Sequence, residues 1–258
     1  MRKTTRGKTR RERLGLWLRW FEHHFRGTNT FTSRSIIDLG YGEKPYSTIE
    51  LAEMAQCLDV PPAIIGIEAS EHRHRQALAL ATPEIEYLFG DAQTIAQCKP
   101  TAKLVRAINV LRQYPPAEVS TIRRSWLDFC QPDTLLTEGT TDRDGNVLGM
   151  WVLGQERSAT LVLGASCLQS FAPAQVRAAL PNDLRWQHSR PTWVDAFFSR
   201  WTELWRETPS DLKPSERFVG SIEALHQSHP SWVRSDLGLW NLGLAEFQPD
   251  HIKADTTG

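Results

Sequence analysis

The sequence predicts an α/β fold built on a mostly parallel sheet. Three observations carry this prediction. Short apolar runs alternate with helical patterns from residue 35 to residue 138, two strand-like runs then follow close together, and the stretch beyond Pro173 reads as helical. Strand and helix in alternation imply right-handed βαβ units. Two strands only a few residues apart pair as an antiparallel hairpin, expected here at the sheet edge.

The elements follow in order. Leu14, Trp17, Leu18, Phe21 and Phe25 recur at helical spacing, so an amphipathic helix precedes the first strand. Ser35 to Leu39 is a buried strand ending in a glycine turn. Ser47 is placed to cap a helix running to about Leu58, with Glu50 completing a capping box. Ala63 to Ile67 is the second strand and Glu71 to Leu80 the second helix. Ile85 to Phe89, Lys103 to Asn109 and Thr134 to Glu138 are further strands, with a helix over Ala117 to Phe129 before the last of these. Asp144-Gly145 introduces Asn146 to Leu153, and Ala159 to Leu163 closes a count of seven strands. Helices are predicted over Pro173 to Leu180, Thr192 to Glu207 and Ser215 to His226, and Trp232 to Phe247 reads as either helix or a last strand. The expected organisation is a basic arm and helix over 1–30, a ligand-binding domain over 31–167 and a helical extension over 168–258 packed on that same domain.

Composition narrows the function classes. With 258 residues, 40% hydrophobic and 23% charged, the chain is globular. No apolar run approaches the ~18 residues of a membrane span. Arg19, Glu22, His23 and His24 interrupt the apolar stretch behind the basic start, so no signal peptide is expected and the predicted location is cytoplasmic. Cys57, Cys98, Cys130 and Cys167 form no CxxC pair and read as reduced thiols. His23-His24 and His72-Arg73-His74 lack further ligands at metal spacing, so no metal site is expected. Residues 1–26 carry nine basic and two acidic side chains, a net +7 that the remaining chain balances at −7. Such an arm gathers phosphates by counterion release or simply leads, solvated, into a docked helix.

The chemistry concentrates at the strand ends. Asp38-Leu39-Gly40-Tyr41-Gly42 closes the first strand just before a helix, where glycines let backbone approach a ligand. Glu68 ends the second strand, 28 residues beyond Gly40, where a carboxylate can accept from two ribose hydroxyls. Gly90-Asp91-Ala92 ends the third and is placed to read an adenine edge. A dinucleotide fingerprint would prefer a third glycine, where Lys44 stands, and an acid about 20 residues on.

Over residues 35–165 the chain resembles the class I S-adenosylmethionine-dependent methyltransferases, with a Rossmann-like sheet. Asp38 to Gly42 resembles the first motif of that family, Glu68 the second and Gly90 to Ala92 the third, and Val105 to Asn109 stands where the fourth belongs. Asp38 to Leu51, Asn109 to Tyr114 and Glu138 to Thr140 resemble, more narrowly, a bacterial methylase group with no assigned substrate. The resemblance implies S-adenosylmethionine as cofactor, held by Asp38, Gly40, Tyr41, Gly42, Glu68, Asp91, Ala92 and Asn109. It implies methyl transfer to an acceptor, or else a catalytically silent module with a regulatory or assembly role. The chain lacks the Asn/Asp-Pro-Pro-Tyr of amino-directed nucleic-acid methylases and the Pro-Cys of cytosine-C5 enzymes. Candidate residues on the acceptor side are Asn109 to orient, Arg112 to bind an anion, Tyr114 to line the pocket and Glu138 as a base. A small-molecule acceptor ranks first. RNA, recruited through the arm over 2–26, ranks second, because Trp17 and Phe21 share the helix face expected to be buried.

Overall fold

The structure, a computed structural model, describes residues 10–98, 101–166, 171–186 and 191–257. The most basic part of the arm, residues 1–9, and Cys167 lie outside the described residues. In chain order the elements are α1 (Gly15–Phe25), β1 (Ser35–Leu39), α2 (Tyr46–Ala55), β2 (Ala63–Glu68), α3 (Glu71–Leu78), β3 (Ile85–Phe89), α4 (Ile95–Cys98), β4 (Ala102–Ile108), α5 (Pro116–Asp128) and β5 (Leu135–Thr141). Then come β6 (Val147–Gly154), β7 (Arg157–Ala165), α6 (Pro173–Arg177), α7 (Asn182–Arg185), α8 (Thr192–Glu207), α9 (Pro214–Ser228), α10 (Leu237–Asn241), β8 (Leu244–Phe247) and α11 (Pro249–Thr257). None of the described helices is long and apolar enough to cross a membrane.

The predicted fold class is the one observed. One sheet runs β3-β2-β1-β4-β5-β6-β7-β8, with β1 to β5 parallel and β5 to β8 pairing antiparallel. It has eight strands, one more than expected. The extra strand, β8, comes from the ambiguous segment, and Leu244 to Phe247 pair with Leu161 to Gly164. The β6–β7 hairpin is therefore interior, and β8 takes the edge.

Alternation along the strands divides the core into two faces. Ile36, Ile64, Leu104 and Met150 point toward α1 and α2, together with Trp17, Phe21 and Leu51. Ile37, Ile65, Val105 and Leu136 point the other way, against Val119 and Trp126 of α5. On that second side of the antiparallel strands, α8 lays down Trp193, Val194, Phe197, Phe198, Trp201, Leu204 and Trp205, one stripe at helical spacing, all buried. The apolar stripe of α1 is likewise buried, with Trp17 Nε1 donating to Thr137 and Trp20 Nε1 to Glu246.

The capping box expected at Ser47 does not form. The helix starts two residues earlier than a Ser47 cap would set it, at Tyr46 behind Pro45, so Ser47 lies inside the first turn. Its hydroxyl donates to Asp38 at 3.2 Å, while Glu50 accepts from the backbone N–H of Glu12 at 2.7 Å. Longer-range partners have claimed both side chains.

Candidate active site

The strand order reverses between β1 and β4, and open α/β sheets bind ligands at the carboxyl edge of such a point. Leaving β1, the chain turns through Gly40 (φ 75°) and Gly42 (φ 85°). A Cβ on Gly40 would stand 2.9 Å from Val110 Cγ2, so both the left-handed backbone and the close approach require glycine. Glu68, buried at the end of β2, latches this turn. Its Oε2 accepts from Gly42 N–H and its Oε1 from Ser70 N–H, each at 3.0 Å, with Arg73 at 3.8 Å from Oε1. Asp91 follows β3 and caps the short 3-10 turn Ala92–Thr94 by accepting from Gln93 N–H at 2.9 Å.

These residues line one cavity of about 630 Å³: Gly40, Gly42, Glu68, Asp91, Ala92, Asn109 and Tyr114 all face it. Its far wall is Ile122, Trp126 and Phe129, residues at helical spacing along and just beyond α5. The sequence reading missed that wall and Arg73. Their signal was present as one helical face, but nothing in the sequence said that the face overlooks the glycine turn.

Asp38 and Tyr41 stand elsewhere. They line a second cavity of about 380 Å³, which shares Gly40, Gly42 and Asn109 with the first. Asp38 is fully engaged. Arg106 Nε donates to its Oδ1 at 3.0 Å, Arg106 Nη2 lies 2.7 Å from Oδ2, and Thr48 Oγ1 donates to Oδ2 at 2.7 Å. Arg106 is itself buried in β4, its guanidinium 4.7 Å from the centre of the Trp17 ring. A lone arginine in the apolar run Leu104 to Ile108 was the available signal for this partner. Tyr41 packs edge-on against Tyr87 at 5.2 Å, and burial, with Glu68 nearby, pushes its phenol well above the usual range.

Asn109 joins the two cavities. It holds φ 66°, uncommon for a side-chain-bearing residue, and is tied to β5 on both sides. Its Nδ2 donates to Thr141 Oγ1 at 3.1 Å and its Oδ1 accepts from Thr141 N–H at 3.1 Å. Arg112 Nη1 donates to Asn109 Oδ1 at 3.3 Å and to Thr141 O at 3.0 Å. Tyr114 lines the first cavity, away from Arg112 in the second.

Glu138 lines neither cavity. It lies fully buried within β5, pushed up to about 7 by burial, against the opposing pull of Arg123 at 2.9 Å. Arg123 also pairs with Asp183 of α7 at 2.6 Å, so this carboxylate joins α5 and α7 to the sheet.

The sheet is thus Rossmann-like in its parallel half, with the strand order reversing between β1 and β4. No protein-family model matches the chain, and no curated protein matches it. Among solved structures, parts of the chain are similar to a variant of MtNAS in complex with S-adenosylmethionine, at 13% identity over 50% of this chain and 46% of that one, TM-score 0.38. They are similar also to magnesium protoporphyrin IX methyltransferase from Synechocystis PCC 6803 with bound S-adenosylhomocysteine, at 18% identity over 50% and 55%, TM-score 0.36. A third similar structure is described as a pericyclic reaction enzyme, at 16% identity over 69% and 40%, TM-score 0.39. The match spans about half the length of those chains.

Proposed function

We propose that the chain is an S-adenosylmethionine-dependent methyltransferase acting on a small-molecule acceptor. The observation that carries this reading is the meeting of Gly40, Gly42, Glu68 and Asp91 around one cavity at the carboxyl edge of the parallel strands. The donor set fits the cofactor. Each Glu68 oxygen accepts one backbone N–H, and a carboxylate has about four lone-pair sites, so capacity remains for two ribose hydroxyls. Asp91 and the backbone beside Ala92 suit an adenine edge, and a Cβ on Gly90 would collide with Thr94, so the turn that presents them needs glycine.

When bound, the cofactor supplies a methyl group already activated on a sulfonium. With that group in place, an acceptor lone pair would take the methyl carbon and the carbon–sulfur electron pair would stay on sulfur. The protein's task is therefore mainly alignment. Asn109, fixed by Thr141 and facing both cavities, is the residue placed to orient the acceptor against the cofactor. Asp38, held by Arg106, Ser47 and Thr48, acts by fixing the turn and the start of α2. On this reading Arg112 meets the acceptor, Tyr114 lines the cofactor side, and Glu138 is structural. Trp17, Trp20 and Phe21 are buried and unavailable for stacking on bases, which supports a small acceptor over RNA.

The test is transfer of label from S-adenosylmethionine, methyl-labelled, into an extract incubated with the protein. The expected result is label in the low-molecular-weight fraction. Label confined to RNA would move the acceptor to nucleic acid, and label in no fraction despite cofactor binding would leave the silent module.

A further inference from the structure

The geometry points to the second cavity as the acceptor site and to a small organic oxyanion, a carboxylate or a phosphate monoester, as the acceptor's recognised group. This rests on the methyltransferase reading, since it assigns the acceptor of that same site. Three arginines converge on the cavity from two parts of the chain: Arg10 and Arg13 ahead of α1, and Arg112 beyond β4. At about 380 Å³ it lies in the range of small-molecule sites. Its floor is the shared glycine turn, so an occupant lies directly beside the ligand of the larger cavity. Leu14, Ile108 and Tyr41 supply apolar lining for the body of such a molecule.

The charges are arranged for an anion. Asp38, the acid among the lining residues, is matched by Arg106 from behind, and with Asp142 and Asp144 facing Arg13 and Arg10 from outside the lining, the cavity wall itself stays net positive. Arg10 pairs at the surface with Asp144 at 2.8 Å, and Arg13 Nε donates to the backbone carbonyl of Asp142 at 3.3 Å. These contacts pin the segment ahead of α1 over the strand ends, and Gly145 makes room for it, because a Cβ there would meet Arg13 O. Arg112 spends only Nη1 on the protein, so among the described residues its Nε and Nη2 keep their donors for a ligand. Burial and the nearby positive charges of Arg185 and Arg13 lower its pKa, with Asp142 opposing. Guanidinium forks match carboxylate and phosphate oxygens two at a time.

The test uses the full chain saturated with S-adenosylhomocysteine, titrated in a calorimeter with benzoate, phenyl phosphate and the neutral isostere benzamide. At least one anion is expected to bind about tenfold or more tightly than benzamide, and the stronger of the two names the oxyanion. Arg112→Gln should weaken that anion by about tenfold or more while S-adenosylhomocysteine affinity holds. Arg10→Gln, at a half-exposed surface position, provides a second variant with little risk to folding. Anion affinity equal to that of benzamide, or unaffected by both substitutions, overturns the inference. Failure of S-adenosylhomocysteine to bind the unaltered chain is a separate result and removes the cofactor reading beneath it.

Discussion

The parallel and antiparallel halves of the sheet use the same strands-and-helices grammar for opposite ends. Around β1 to β4 the carboxyl edge is kept open. Glycines hold positive φ, acids stand at strand ends, and two cavities share the turn at Gly40. Around β6 to β8 the space is closed by aromatic rings. Trp201 touches the rings of Phe171, Phe197, Phe198, Phe218 and Phe247 at 5.8–6.2 Å. One buried carboxylate there serves as an anchor. Glu246 of β8 receives Trp20, Arg234 and His24 within 3.0 Å, tying the last strand to α1. Function is therefore sought in the open half, where the strand ends face two adjoining cavities.

Two buried anchors, Trp201 and Arg106, separate the halves by experiment. Trp201→Ala in the closed half should cost about 3–5 kcal/mol of stability through the cavity it leaves. In the cold, where the fold survives, its affinity for S-adenosylhomocysteine should match the unaltered chain. Arg106→Ala in the open half should also cost about 3–5 kcal/mol, because it strands Asp38 as an unpaired buried charge. Unlike the tryptophan change, it should weaken S-adenosylhomocysteine as well, since Asp38 holds the turn and α2. Melting curves paired with calorimetry separate the two outcomes.

Only part of this contrast was legible in the sequence. Glycines and acids at strand ends could be read because a strand, its turn and the next helix are contiguous. The seven strand-like runs were read for the same reason. What escaped were pairings across long separations. Asp38 meets Arg106 at 68 residues and Trp20 meets Glu246 at 226; a lone arginine in an apolar run marks a need for a partner, but no local pattern says which. Leu244 to Phe247 is four residues long and buried on both faces, so it offered no alternation to recognise. Ser47 and Glu50 had the spacing of a capping box, and tertiary partners outbid it.

Acid titration sharpens the same contrast. Burial would raise the Glu246 carboxyl, but His24, Trp20 and Arg234 outweigh it and hold it at about 2. A carboxyl lowered on folding contributes stability that is complete above its unfolded pKa, near 4.3, and is lost as pH falls toward 2. Relative to Glu246→Gln, the unaltered chain should lose about 3 kcal/mol as pH falls through that window. Glu138 has the opposite sign. Its folded pKa is raised, so its charge destabilises above pH about 7 and is relieved as pH falls toward the usual glutamate range. Relative to Glu138→Gln, the unaltered chain should therefore gain stability from pH ~8 to ~5 in thermal melts.

On the proposed reading the open half holds a methyl donor through Glu68. Calorimetry of the unaltered chain and of Glu68→Gln, each titrated with S-adenosylhomocysteine and with NAD, tests it most directly. The unaltered chain should bind S-adenosylhomocysteine but not NAD, and the variant should bind it more weakly by about 1.5–3 kcal/mol as charged hydrogen bonds are lost. Binding of NAD alone, or an affinity for S-adenosylhomocysteine that Glu68→Gln leaves unchanged, would contradict it.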